Sequence, residues 1–188
     1  MQKSTITLIF AGFTCLVVAK PKSATQVSTD VRVEHNVAYL AAGRDEKADL
    51  YSPLAIAKDA RLPAVVWIHG GGWNGGSKSS SREVNVCNTL ALNGYIAMSI
   101  DYKLSSEKIA VWPQNLWDCK TAVRWLRKNA ERLGIDPDRI GVMGGSACGH
   151  LASMVALSTP EDKLDPVQPY GDISCAVRCC VNKYLATN

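Results

Sequence analysis

A serine among small residues, Gly144-Gly145-Ser146-Ala147-Cys148-Gly149-His150, follows the apolar run Ile140-Gly141-Val142-Met143 and precedes a helical pattern. At a strand-to-helix turn this is a nucleophile elbow, in which the tight backbone pushes Oγ out at the strand's C-terminal end. The N–H of Ala147 then points into the same space, at a helix N-terminus that favours a developing oxyanion. Strict G-x-S-x-G is not met, because Cys148 holds the second glycine position. Cysteine is small, so the crossing survives with some strain. An ordinary helix N-cap is the alternative use of a serine here.

A second junction, His69-Gly70-Gly71-Gly72-Trp73, follows directly on the apolar run Ala64-Val65-Val66-Trp67-Ile68. Three glycines let the backbone approach a ligand closely and turn its N–H groups outward. That is what an oxyanion hole needs. A plain Gly-rich turn or a phosphate loop is the alternative, but no GK[ST] follows and no G-x-G-x-x-G spacing is present.

The elements that must position these junctions alternate between strand and helix. Val31 to Leu40 and Lys47 to Tyr51 read as strands, and Ala64 to His69 as a strand buried on both faces. A helix spans roughly Glu83 to Leu92 and stops at Asn93-Gly94; Tyr95 to Asp101 is the next buried strand. Leu116, Cys119, Val123, Leu126, Ala130 and Leu133 recur at helical spacing up to Gly134. Asp136-Pro137-Asp138 turns the chain into a strand over Arg139 to Met143. A helix from Ala147 to Leu157 and a sixth strand from Ser174 to Val181 complete the pattern. Such alternation predicts an α/β fold of three layers around a mainly parallel sheet.

Composition narrows the possibilities. The 188 residues, 47% hydrophobic and 20% charged, suit one globular domain that buries its own core. The net charge of +4 is scattered, which argues against a nucleic-acid surface. No apolar run reaches the ~18 residues of a stable membrane span. Lys3, the apolar stretch from Ile6 to Ala19 and the small residue Ala19 predict a signal peptide over 1–19 and a secreted or periplasmic protein. Residues 20–30 are a polar, flexible lead, and 31–188 form the domain.

With Cys15 assigned to the signal, six cysteines remain, all inside apolar patterns where free Cys packs as a small hydrophobe. A disulfide is the alternative. No C-x-x-C or H-x-x-x-H spacing occurs, so neither a metal nor another cofactor is expected.

From about residue 48 to 187 the chain resembles the α/β-hydrolase esterases and lipases with an HGGGW oxyanion loop: hormone-sensitive-lipase-like carboxylesterases and the bacterial acetylxylan/feruloyl esterase-like group. The stretches that carry the resemblance are His69-Gly70-Gly71-Gly72-Trp73, Asp101-Tyr102-Lys103-Leu104, Asp118 to Leu126, Gly134 to Ile140 and Gly144-Gly145-Ser146-Ala147. The resemblance implies Ser146 as nucleophile of an acyl-enzyme mechanism, with Gly71, Gly72 and Ala147 as oxyanion donors. His69 and Gly70 would support the loop, and Trp73 could line a sugar or aromatic acyl site. Cys148 departs from the pattern, as does Asn182-Lys183-Tyr184-Leu185, where relatives have an Asp-x-Tyr-Gly-like turn.

In that family the acid and then the base follow the serine in sequence. The three histidines here are His35, His69 and His150, none beyond His150. His150 stands one helical turn past Ser146, where its ring is expected to point along the helix side. Asp162, Asp165 and Asp172 precede the sixth strand, too early for the acid. The expectation is a C-terminally truncated domain lacking its last strands, with the apolar last strand as an open edge. The reading is therefore an exported serine hydrolase of short-acyl or carbohydrate esters without its triad acid and base. A non-catalytic binding protein on the same scaffold, or a peptidase or thioesterase of the same fold, are the alternatives.

Overall fold

In a computed structural model the described residues are 27–185, so the signal segment, most of the lead after it and Cys15 lie outside them. The strands are β1 (Val31–Val37), β2 (Ala48–Pro53), β3 (Leu62–Ile68), β4 (Ile96–Ile100), β5 (Ile135–Ser146) and β6 (Cys179–Leu185). The helices are α1 (Ser81–Leu92), α2 (Gln114–Lys128), α3 (Ala130–Leu133) and α4 (Ala147–Leu157). The sheet order is β1-β2-β4-β3-β5-β6. β1, β2 and β4 pair antiparallel, whereas β4, β3, β5 and β6 run parallel. Both Gly-rich junctions follow the adjacent parallel strands β3 and β5, with Ile68 opposite Gly144, and therefore emerge at one edge of the sheet.

Alternation along the central strands explains the layers. Val66, Ile68, Met98 and Ile100 join Leu116, Val123, Leu126 and Leu151 in the larger core, on the side of α2 and α4. Trp67 and Ala97, one residue out of step, join Cys87 and Ala91 of α1 on the opposite face. Each strand thus buries both sides, as its unbroken apolar run requires. No helix among the described residues is long and apolar enough to cross a membrane.

Of the boundaries that differ from the sequence reading, three have a clear physical cause. The long helix breaks at Asn129, whose side-chain amide donates to the Trp125 carbonyl at 2.8 Å and competes with the backbone ladder. β5 begins at Ile135, so Asp136-Pro137-Asp138 lies inside the strand, and the register with β3 shifts between Leu62 and Ala64 to absorb it. The sixth strand begins at Cys179, not Ser174. The reason is Arg127 of α2, whose guanidinium donates to the carbonyls of Ser174 and, at 2.7 Å, Ala176. Those residues are thereby held over the helix before Arg178 donates to Ile140 and the chain joins the sheet.

Cys87, Cys119, Cys148 and Cys175 are buried free thiols, as small hydrophobes would be. Cys179 is not: it is exposed on β6, the outermost strand on that side among the described residues, with Val181 47% exposed beside it.

Candidate active site

β5 ends at Ser146 and α4 begins at the next residue. Ser146 has φ 58° and ψ −133°, a conformation that a residue with a side chain adopts only when its surroundings impose it. The surroundings here are tight. A Cβ on Gly144 would lie 2.3 Å from the Cys148 carbonyl oxygen, so strand and helix can turn this sharply only with glycine there. From the other side Asn182 of β6 clamps α4, its amide donating to the Gly149 carbonyl at 3.0 Å and to Ser153 Oγ at 2.8 Å. Asn182, singled out as a departure, is thus a brace for the helix that carries the elbow.

The loop after β3 lies against this turn. A Cβ on Gly70 would stand 3.3 Å from the Gly145 carbonyl and 3.9 Å from Ser146 Cβ. Gly71 has φ 131°, and a Cβ there would meet the Gly75 carbonyl oxygen at 2.2 Å. The same loop closes on itself through the Gly71 carbonyl, which accepts from the N–H groups of Asn74 and Gly75. The two motifs, 70 or more residues apart in sequence, therefore abut. Backbone donors from one junction and a hydroxyl from the other at a common point are what acyl transfer requires.

Cys148 occupies the family's glycine position without disrupting it. Its Sγ is buried 2.8 Å from the Tyr102 hydroxyl, and that hydroxyl donates to the His69 carbonyl at 3.1 Å. The thiol and the Tyr102 hydroxyl are within hydrogen-bonding reach, and either can donate to the other. Burial pushes the thiol up to about 12, and the Tyr102 hydrogen bond only partly offsets it. Cys148 is a neutral bracing group here.

The histidines occupy three separate places. His69 is buried beneath the oxyanion loop, stacked on Tyr102 with ring centroids 4.6 Å apart. Its Nδ1 lies 2.9 Å from the Gly70 carbonyl oxygen, and its Nε2 is 3.9 Å from the Asp101 carboxylate, beyond a hydrogen bond. Its contacts are thus with the loop backbone and Tyr102. His35 pairs with Asp49 at 3.0 Å on β1 and β2, at the far side of the sheet from β5.

His150 differs from the expectation that its ring follows the helix side. It turns toward the oxyanion loop and meets Trp73 edge-on at 5.8 Å. Together they line a cavity of about 240 Å³ with Trp112, Val111, Asn115 and Leu151. No histidine among the described residues hydrogen-bonds Ser146.

Two of the acidic candidates are engaged elsewhere. Asp165 pairs with Lys120 and, at 3.7 Å, Arg124, while Asp162 caps the short turn at Thr159. Asp118 is fully buried, with Arg44 forked across both oxygens at 3.0 and 2.7 Å. Gln114 and the backbone N–H of Lys103 complete its shell. Sequence reasoning missed this cluster, because Arg44 reads as a loop charge 74 residues away. It missed Arg82 too, whose guanidinium stands 3.9 Å from the point where a Gly70 Cβ would be. Nothing in the pattern separates Arg82 from an ordinary surface arginine.

Comparison with known proteins agrees with the geometry. The family BD-FAE matches residues 48–188. Esterase LipQ of Mycobacterium tuberculosis is 33% identical over 131 residues, which cover 70% of this chain and 30% of LipQ. Carboxylesterase NlhH of the same species is 31% identical, over 72% of this chain and 41% of its own length. Among solved structures, Thermogutta terrifontis esterase 2 phosphorylated by paraoxon superposes with a TM-score of 0.71 at 29% identity, covering 84% of this chain and 58% of that one. The chain thus spans three tenths to two fifths of these curated relatives and somewhat more than half of that structure. By its fold and these matches, the chain belongs to the BD-FAE family of α/β-hydrolase esterases and lipases.

Proposed function

We infer that this chain carries the nucleophile and oxyanion portion of a serine hydrolase acting on small carboxylic esters. The observation that supports the reading best is Ser146 in its strained elbow conformation against Gly70 of the oxyanion loop. In the mechanism, Ser146 Oγ attacks the ester carbonyl carbon while its proton passes to a base. The carbonyl oxygen becomes an oxyanion held by the N–H groups of Gly71, Gly72 and Ala147. Collapse expels the alcohol, and water then releases the acid from the acyl-serine.

No histidine stands as a base at Ser146 among the described residues. His69 is buried under the loop, His35 lies across the sheet, and His150 faces Trp73. The 188 residues alone are therefore a slow hydrolase, and turnover at family rates needs an acid and a histidine that they do not place at Ser146. We take the substrates to be short-acyl or carbohydrate esters and the protein to be exported, on the strength of Lys3 and the apolar segment up to Ala19. A non-catalytic binding role is the second reading, favoured by the same lack of a base. A fluorescent organophosphonate separates them: covalent labelling that disappears in Ser146→Ala supports the hydrolase, and no labelling favours the binding protein.

A further inference from the structure

We propose that Lys78 is a positioning residue for the oxyanion donors: by pinning the far end of the loop after β3, it sets the direction of the Gly71 and Gly72 N–H groups. The proposal rests on the esterase reading of Ser146.

In the sequence Lys78 belongs to Gly75-Gly76-Ser77-Lys78-Ser79-Ser80, which has the composition of a solvent-facing stretch. In the structure it is only 8% exposed, and a lysine is seldom buried unless its charge is paired. Its ammonium donates to Asp49 Oδ1 at 2.7 Å, and Asp49 is itself buried. The Lys78 main chain is held as well. Its N–H donates to the Asp101 carboxylate at 2.7 Å, and its carbonyl accepts from Ser99 Oγ at 2.8 Å. Asp49 of β2 stands opposite Ser99 of β4, and Asp101 follows two residues later, so the three partners project from one face of the sheet.

Asp49 stays charged in this setting. Burial pushes its carboxyl up, but the Lys78 ammonium, the Asn36 N–H at 3.0 Å and His35 outweigh that and hold it below the ordinary carboxylate range. The ion pair therefore persists at neutral pH.

The hold on Lys78 reaches the donors through glycine contacts. Gly76, with φ 96°, lies close against the start of the loop. A Cβ there would stand 2.3 Å from the Gly70 carbonyl oxygen and 2.4 Å from His69 Nδ1. The Gly75 N–H donates to the Gly71 carbonyl at 3.0 Å. The residues just before Lys78 thus back onto Gly70 and Gly71. In a trans peptide the N–H points away from the preceding carbonyl, so the Gly70 and Gly71 carbonyls fix where the Gly71 and Gly72 N–H groups aim. Without Lys78, Gly75 and Gly76 lose their fixed backing, and the donors are no longer held ready for the oxyanion.

Labelling of Ser146 in the 188-residue chain tests this. The probe is a fluorescent p-nitrophenyl phosphonate, from which Ser146 Oγ displaces p-nitrophenolate while losing its proton to water. Varying its concentration separates affinity from the rate of bond formation. Lys78→Met keeps the main-chain bonds and removes the ammonium. The bond-forming rate is expected to fall about tenfold or more, up to the ~10²–10³-fold that loss of an oxyanion donor costs. The half-saturating concentration should change less than about threefold, as for an interaction made only in the transition state. Lys78→Met with Asp49→Asn strands no charge, should show the same loss, and decides the matter if the single variant fails to fold. Lys120→Met is the matched control, a buried lysine of α2 paired with Asp165. It should lower the urea midpoint without slowing the step. Hydrogen exchange should quicken across residues 70–78 in the Lys78 variants and not in the control. Unchanged rates in the Lys78 variants, equal slowing in Lys120→Met, or a loss carried by affinity alone would overturn the proposal. No labelling of the unsubstituted chain would remove the esterase reading and this proposal with it, so the two failures are distinguishable.

Discussion

The thiol of Cys148 hydrogen-bonds the hydroxyl of Tyr102 at 2.8 Å, and through it the nucleophile elbow is tied to the carbonyl of His69 at the root of the oxyanion loop. A residue that looked like a flaw in the elbow motif is a link between its two halves. The link also orders the segment after β4, because Tyr102 is buried between the His69 ring and α4.

Tyr102→Phe should therefore lower unfolding stability by about 1–3 kcal/mol, since the Cys148 thiol loses its buried partner. Urea denaturation measures this. Phosphonylation of Ser146 should slow in the same variant, because the loop is less firmly placed.

Cys148 also predicts an alkaline limb. Its folded value of about 12 exceeds the ordinary thiol value near 9, so the unfolded chain ionises first. The stability attached to the neutral buried thiol is full below pH ~9 and falls as pH rises toward 12. Cys148→Ala should show a shallower decline in urea midpoint over that window. An identical pH dependence in the two proteins would count against a buried neutral thiol.

Gly71→Ala should disable the oxyanion loop. The added Cβ would meet the Gly75 carbonyl oxygen at 2.2 Å in a backbone with φ 131°. If the loop shifts enough to remove one donor, labelling of Ser146 should slow by about 10²–10³-fold. Far-ultraviolet circular dichroism should stay unchanged, since the loop lies outside the strands and helices.

Arg44→Ala should cost about 3–5 kcal/mol, because it leaves the Asp118 carboxylate buried without its counter-ion. Arg44→Ala with Asp118→Asn should recover part of the loss. Chemical denaturation of the single and double variants provides the cycle.

Hydrolysis of a short-chain aryl acetate by the 188-residue chain should run at least ~10²–10⁴-fold below that of a related esterase with a histidine at its serine, the share of rate that a positioned base supplies. Grafting a relative's later strand-helix units, with their acid and histidine, should restore turnover, and Ser146→Ala in the graft should abolish it. Rapid turnover of the unextended chain, lost on His150→Ala, would instead make His150 the base.

N-terminal sequencing of exported protein should begin near residue 20. Material that still starts at Met1 would refute the signal assignment.

Much of this protein is determined locally. The apolar run before His69 marks a strand with two apolar faces to cover, and the Leu116 to Leu133 spacing marks a helix. Gly144 and the small residues after it mark a turn between a strand and a helix, so the serine's place at a strand end was legible along with the alternating fold. Long-range contacts decided the rest. That Gly70 lies against Ser146 follows from β3 and β5 being neighbours, which neither segment encodes alone. Cys148 became a brace only because Tyr102 arrives from another strand, and Ser174 to Arg178 left the sheet because Arg127 holds their carbonyls. The direction of the His150 ring was set by Trp73, 77 residues earlier in the chain. Periodicity records which face of an element is apolar; which side chain meets it from across the fold is settled only when the sheet assembles.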